Sequence, residues 1–194
     1  MMYNIVLAGV GGQGILSIAT ILDRVALEQK LYVKLAEVHG MAQRGGAVQC
    51  HLRLGDEPIA SDLMPHGGAD RILAVEPMET LRYLGYLKDE GTVVSSATPV
   101  VNSPDYPKIE EIRATIRRLP RYVLADSRAL AEEAGNVRSE NMVMLGAASP
   151  YLPVAAAAVR SEIDKAFEKK APAASEANGK AFDLGREAAL ARAL

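Results

Sequence analysis

Cysteine is nearly absent: Cys50 stands alone in 194 residues. One thiol closes no internal disulfide and builds no structural zinc site or cysteine-ligated iron–sulfur cluster. Cys50 reads as a small buried strand residue, free cysteine being among the most buried side chains. Tryptophan is missing, and no basic stretch is interleaved with aromatics. Neither charge dominates: 22 Lys and Arg against 24 Asp and Glu leave a net charge of −2. That balance draws the chain to neither nucleic acid nor an anionic membrane. No apolar run reaches membrane-spanning length. The first one, Tyr3 to Ala8, is short, lacks a basic leader and runs into glycines. It reads as a strand rather than a signal peptide, and a cytoplasmic protein is expected. The G-x-x-x-x-G-K-[ST] phosphate loop and the G-x-S-x-G nucleophile elbow are also missing. No internal repeat is visible.

What the chain does have is apolar residues enough for one well-filled core, 49% of the total. Its organising stretch is Gly9-Val10-Gly11-Gly12-Gln13-Gly14. The continuous apolar run before it suits a parallel strand buried on both faces. After it, Ile15, Ile18, Leu22, Val25 and Ala26 recur at spacings of three and four, one buried stripe of a helix from about Gly12 to Lys30. Strand, glycine turn and helix are the frame in which G-x-G-x-x-G carries meaning. In it Gly9 makes the tight turn, Gly11 lets backbone approach closely and Gly14 lets helix and strand pack. The helix start offers N–H groups to an anion. Two uses stay open: an anion or nucleotide site, and a turn that only starts the fold or docks a partner.

Further strands are expected at Tyr32–Glu37, Arg71–Val75, Thr92–Ser96 and Arg121–Asp126. Helices are expected over Pro77 to Leu87, Ile109–Leu119, Arg128–Ala134 with Ser127 as cap, Asn141–Leu152 and Val154–Lys169. Ala47 to Leu54 alternates, with Gln49, His51 and Arg53 on the polar side, so it reads as half-exposed. Gly55-Asp56 and Pro58-Ile59-Ala60 suggest a hairpin return. Thr98 to Pro107, with three prolines, is irregular. Ala171 to Ala177 reads as a linker before an alanine-rich helix, Asn178 to Leu194. The fold class is α/β: Rossmann-like, a mostly parallel sheet flanked by helices, with a β-hairpin insert and a C-terminal helical arm. Residues 1–170 form the domain, and 171–194 the linker and arm, which is expected to pack on a partner or neighbouring subunit.

Three nucleotide readings compete for the turn. A dinucleotide enzyme wants an acidic residue about twenty residues on, and Glu37 sits in that place. The doubled Gly11-Gly12 resembles the turn of ubiquitin-activating-type adenylating enzymes, which place aspartates where this chain reads Ala36-Glu37-Val38-His39. Methyltransferases usually carry an acidic residue ahead of the glycines, where Leu7-Ala8 stands. His39, His51 and His66 lack helical ligand spacing. Nothing in the spacing of Asp62, Asp70, Glu76 and Glu79 demands a catalytic carboxylate pair.

The loop after the second strand decides more than the turn. Glu37-Val38-His39-Gly40-Met41-Ala42-Gln43-Arg44-Gly45-Gly46 joins the glycine turn, Ala69-Asp70 before a strand ending Glu76-Pro77-Met78-Glu79, and Asn141-Met142-Val143 with Leu145-Gly146. Together these resemble the gamma-type domain of the 2-oxoacid:ferredoxin oxidoreductases, from Tyr3 to about Gly185. The loop form is most similar to the beta-subunit type of the indolepyruvate ferredoxin oxidoreductases. The resemblance implies a complex that oxidatively decarboxylates a 2-oxoacid such as indolepyruvate, an aryl pyruvate or pyruvate, yielding an acyl-CoA and reduced ferredoxin. Thiamine diphosphate, magnesium and iron–sulfur clusters would belong to a larger alpha subunit, with coenzyme A as co-substrate. Ferredoxin would be met through the complex. This chain lacks the Gly-Asp-Gly…Asn signature that holds magnesium–diphosphate, so it is expected to bear no cofactor and no catalytic residue and to be inactive alone. The stand-alone alternatives are an NAD(P)- or FAD-dependent oxidoreductase using Gly9, Gly11, Gly14 and Glu37, and a pure assembly module. Candidate anion or cofactor contacts are Gly9, Gly11, Gly12, Gln13, Gly14 and Arg44, whose planar fork suits phosphate or carboxylate. An interchain salt bridge is the other use of Arg44. His39, Gly40, Met41, Gln43, Arg44, Gly45 and Gly46 form the candidate subunit-interface loop. A homodimer of the isolated chain is a further expectation.

Overall fold

A computed structural model describes residues 1–39, 45–168 and 172–191. Its centre is a six-stranded sheet. β1 (Met2–Val10) is the apolar run before the glycines, and Ile5, Val6, Leu7 and Ala8 are all fully buried. The sheet continues with β2 (Tyr32–His39), β3 (Ala47–Gly55), β4 (Ala69–Ala74), β5 (Leu87–Ser96) and β6 (Tyr122–Ala125), in the spatial order β2-β3-β1-β4-β5-β6. β1, β4, β5 and β6 are mutually parallel, and only β3 runs against its neighbours.

Alternation along the strands sends side chains into two helical layers. Ile5 and Leu7 of β1, Leu73 of β4, Val94 of β5 and Val123 of β6 face one core. That core is covered by α1 (Ile15–Glu28), α4 (Ser127–Glu133), α5 (Glu140–Ala148), α6 (Ala156–Glu168) and α7 (Pro172–Leu190). Val6, Ala8, Ile72 and Val93 face the other side, with Met64 and the Tyr83–Leu87 stretch against them. α2 (Pro77–Arg82) and α3 (Ile109–Arg117) complete that layer around Leu124. α5 is apolar all round because it is buried all round: every residue from Met142 to Ala148 is buried.

Four expectations change. The alternating strand is no separate hairpin with a return at Pro58–Ala60. Instead β3 pairs with β2 and β1 in continuous antiparallel register, and no strand forms at 58–60. Its polar side keeps partial exposure at Gln49 and Arg53, but the segment carrying Ile59 and Met64 folds over His51, which is 2% exposed. His51 Nδ1 accepts the Met64 N–H at 3.2 Å, and its ring meets Tyr86 edge-on at 5.0 Å. The helix from Pro77 ends at Arg82, and after a single 3-10 turn Leu87 already begins β5. Asp126, not Ser127, caps α4, accepting the Ala129 N–H at 3.1 Å. Ser127 is spent on Ser96 and Glu140 inside the core. Finally, the expected linker is helical from Pro172 on. Proline is at home in a first helical turn and alanines favour helix, so small residues around a proline mark a helix start as well as a linker.

α7 accordingly packs on its own chain. Ala181, Phe182 and Ala189 are buried in the main core. Gly146 of α5 lies against the Phe182 backbone and Gly185 of α7 against the Val143 backbone, each so closely that a Cβ would collide. Paired glycines let two helices approach at backbone distance.

Candidate functional site

The glycine turn folds differently from its sequence reading. The left-handed conformations fall on Gly12 (φ 103°) and Gly14 (φ 77°), where other residues are strained. Gly9 is extended strand, and its role is close packing: a Cβ there would run into Val75 beyond β4. Gly14 begins α1 and lies against Asn141 of α5, whose Nδ2 donates to the Gly14 carbonyl at 3.3 Å. Gly11 carries the β1–β3 ladder past its last pair. Its N–H donates to Gly46 O at 2.8 Å, and its carbonyl accepts from Gly45 N at 3.2 Å. Gln13 turns inward. Its Oε1 accepts the Val10 N–H at 2.8 Å and its Nε2 donates to Val75 O at 3.0 Å, pinning the end of β1 to the end of β4.

Those two strand ends form the switch point of the sheet, for the chain leaves β1 toward β2 on one side and β4 toward β5 on the other. Crevices at such points are where open α/β sheets take ligands. A cleft of about 420 Å³ opens there, lined by Gly12, Gln13, Gly14, Val75, Val100, Val137, Arg138, Glu140 and Asn141. The cation of the lining, Arg138, was not singled out from the sequence. It sits in the 3-10 turn Val137–Ser139, which Asn136 caps by accepting the Arg138 N–H at 3.1 Å. The Asn141 to Gly146 stretch of the resemblance begins just after it, but nothing local predicts that α5 brings it to the glycines. Val137 is 40% exposed at the rim.

A strap over residues 97–107 forms one wall. Its anchor is Glu76, wholly buried at the end of β4. Glu76 Oε2 accepts the Glu79 N–H at 2.9 Å and so caps α2, while Oε1 accepts Val100 N–H at 3.3 Å and the Tyr106 hydroxyl. Burial and the neighbouring Glu76 carboxylate raise the Tyr106 phenol well above its usual range, so it stays a donor. At the strap's apex Val101 is 69% exposed, and Asn102 Nδ2 donates to Gly45 O at 2.6 Å. The strap thus holds the end of the β2–β3 loop, which Gly11 holds from the other side.

Of the loop candidates, Gly45 and Gly46 are placed here, and His39 is the last residue of β2. Gly40, Met41, Ala42, Gln43 and Arg44 lie outside the described residues. Glu37 stands opposite Cys50 of β3, two strands from β1 and about 10 Å away. In a dinucleotide fold the ribose-binding acid lies on the strand next to the glycine turn; here β3 intervenes. The four carboxylates disperse. Asp62 pairs with Lys34 at 3.0 Å and Asp70 with Lys88 at the opposite end of the sheet, while Glu76 and Glu79 serve α2 and Arg82. Burial raises the Glu79 carboxyl, with Arg82 opposing. Burial likewise pushes the Cys50 thiol up to about 12. Among the described residues no group of three or more His, Cys, Asp and Glu could hold a metal ion, and no helix is long and apolar enough to cross a membrane.

Comparison with known proteins supplies the context of this cleft. The family described as pyruvate ferredoxin/flavodoxin oxidoreductase matches residues 4–188. The chain is 41% identical over 197 residues to the indolepyruvate oxidoreductase subunit IorB of Pyrococcus horikoshii, covering 96% of each. Its fold is similar to the pyruvate oxidoreductase subunit PORC of Thermotoga maritima, at TM-score 0.73, 23% identity and 96% coverage of each chain. It also superposes on the 2-oxoglutarate:ferredoxin oxidoreductase of Magnetococcus marinus with 2-oxoglutarate, coenzyme A and succinyl-CoA bound. There the TM-score is 0.78 at 22% identity, over 98% of this chain and 31% of that one.

Proposed function

We propose, for a chain that belongs to the pyruvate ferredoxin/flavodoxin oxidoreductase family, the role of the small, cofactor-free subunit of an indolepyruvate-type 2-oxoacid:ferredoxin oxidoreductase. The complex would convert a 2-oxoacid, coenzyme A and two oxidised ferredoxins into acyl-CoA, carbon dioxide, a proton and two reduced ferredoxins. Thiamine diphosphate, magnesium and the iron–sulfur clusters would reside in the larger subunit. The inventory of this chain agrees, since one buried cysteine cannot ligate a cluster. The 41% identity to an indolepyruvate oxidoreductase subunit supports the substrate class.

The observation that carries the reading is the cleft itself. It opens at the switch point with left-handed glycines and the start of α1, its lining carries Arg138 together with one carboxylate, Glu140, which accepts from Ser127, and Val101 and Val137 stand exposed at its rim. That lining suits an anionic group presented from outside, such as the phosphates of coenzyme A, with a partner surface closing over the valines. Arg138 and Arg44 would contact the anion, with Gly12 and Gly14 giving the backbone room. Gly9, Gly11 and Gln13 would hold the turn in shape. His39, Gln43 and the glycines of the loop would meet the larger subunit. No residue of this chain is assigned a proton or a bond in the reaction.

The test is co-expression with the larger subunit, followed by assay with indolepyruvate, coenzyme A and an electron acceptor, with and without this chain. Turnover that needs both chains supports the reading. A chain that purifies alone with a bound dinucleotide would falsify it, and the position of Glu37 already argues against that outcome. If replacing Arg44 and Arg138 together leaves turnover unchanged, the chain is an assembly module only.

A further inference from the structure

The two edges of the sheet are protected very differently. β6 has four residues. β2 has eight, pairs with β3 without a bulge, contains no proline, and has no strand on its outer side among the described residues. Natural edges are usually kept short, bulged or charged, because a long regular edge is a template for another strand; of these devices β2 has only charge, in Lys34 and Glu37. β2 also exposes three large apolar side chains: Tyr32 at 49%, Leu35 at 41% and Val38 at 48%. Tyr32 and Val38 lie on the face away from α1, and Leu35 lies on the α1 face.

We infer that β2 pairs antiparallel with β2 of a second copy of this chain, about a two-fold axis through Leu35. An axis perpendicular to the sheet keeps paired residues on a common face, so few registers exist. Centred on Leu35, the strand is complementary to itself. Leu35 meets Leu35, and each Tyr32 meets the other copy's Val38, an aromatic against a β-branched residue. Val33 stands opposite Glu37 and Lys34 opposite the small Ala36. The charges agree as well. Lys34 is already paired with Asp62 at 3.0 Å, so two neutral ion pairs meet over the axis, and each lysine can reach the other copy's Asp62 across Ala36. A register centred on Lys34 would oppose two lysines. One centred on Ala36 would set Glu37 against Leu35 and Lys34 against Val38. The pairing joins two sheets into one, and because β3 separates β2 from β1 it leaves the cleft open to the larger subunit.

The experiment uses the isolated chain. Sedimentation or light scattering should give a dimer mass. Leu35→Cys should form a covalent dimer on mild oxidation, because a disulfide needs paired Cα atoms within about 7 Å. Glu37→Cys on the same face should not, its two copies lying about 13 Å apart along the strands. Wild type is the control for Cys50, which is buried. Leu35→Lys should weaken the dimer roughly tenfold or more with unchanged circular dichroism. Val38→Lys gives the same reading if the first variant misfolds. A monomeric wild type, cross-linking of Glu37→Cys as readily as Leu35→Cys, or an undiminished dimer in both lysine variants would each overturn the inference.

Discussion

Gly12 and Gly14 share one turn and one backbone handedness, yet they are not equivalent. Open space surrounds a Cβ at Gly12, whereas a Cβ at Gly14 would collide with Asn141. Gly12→Ala should therefore cost only the left-handed backbone strain, about 1 kcal/mol. Gly14→Ala should cost that plus displacement of α5's asparagine, about 2–3 kcal/mol together. Urea unfolding of the two variants separates the terms, and equal losses would contradict the geometry. His51 is the residue whose protonation the fold resists. Burial, and secondarily Arg53, lower its pKa from the ordinary 6.5. The unfolded chain then takes up a proton that the native chain refuses. The contribution of His51 is therefore intact above pH of about 6.5 and is lost as pH falls below it. Wild type should lose up to about 1.4 kcal/mol per pH unit more than His51→Gln in that range. Matching unfolding midpoints at pH 7.5 and 5.5 are the measurement; parallel slopes would mean that His51 does not titrate on unfolding.

At the scale of elements, the contact of α5 with α7 and the strap over the cleft make opposite demands. The first is buried and rigid. Gly146→Ala pushes a methyl into the Phe182 backbone, which cannot rotate away. A loss of about 3 kcal/mol is expected, at the upper end of overpacking costs, with a lower thermal midpoint as the readout. The strap's apex is exposed, and Asn102 ties it to the end of the β2–β3 loop. Asn102→Asp keeps the side chain's shape but removes the N–H that reaches Gly45 O. Hydrogen exchange at Gly11 and Gly45 should quicken severalfold, while Val100, tied to Glu76, stays protected. Unchanged exchange at Gly45 would show that Gly11 alone holds the loop. Sequence periodicity found the stripe on α1 and the run of β1 because both are local. The linker reading at residues 171–177 failed because alanines around Pro172 have the same composition whether or not α5 is there to pack against.

For the whole molecule the decisive question is what the cleft meets. In the co-expressed complex, Arg138→Ala should raise the apparent KM for coenzyme A roughly tenfold, the worth of one charge-assisted contact, with kcat little changed. Equal KM values would move the anion elsewhere. By itself the sequence determined the β1–turn–α1 unit, the α/β class and the family. The unit and the class are written in strand and helix periodicity, complete in local stretches, and the family in a combination of short runs such as His39 to Gly46. Tertiary structure alone decided the rest. It set β3 between β2 and β1, which moved Glu37 away from the glycines. It turned Gln13 inward onto Val75, and it carried Arg138 to a turn more than a hundred residues earlier in the chain. Those outcomes depend on which surfaces remain to be buried once the helices and strands pack together, and neighbouring residues carry no record of that.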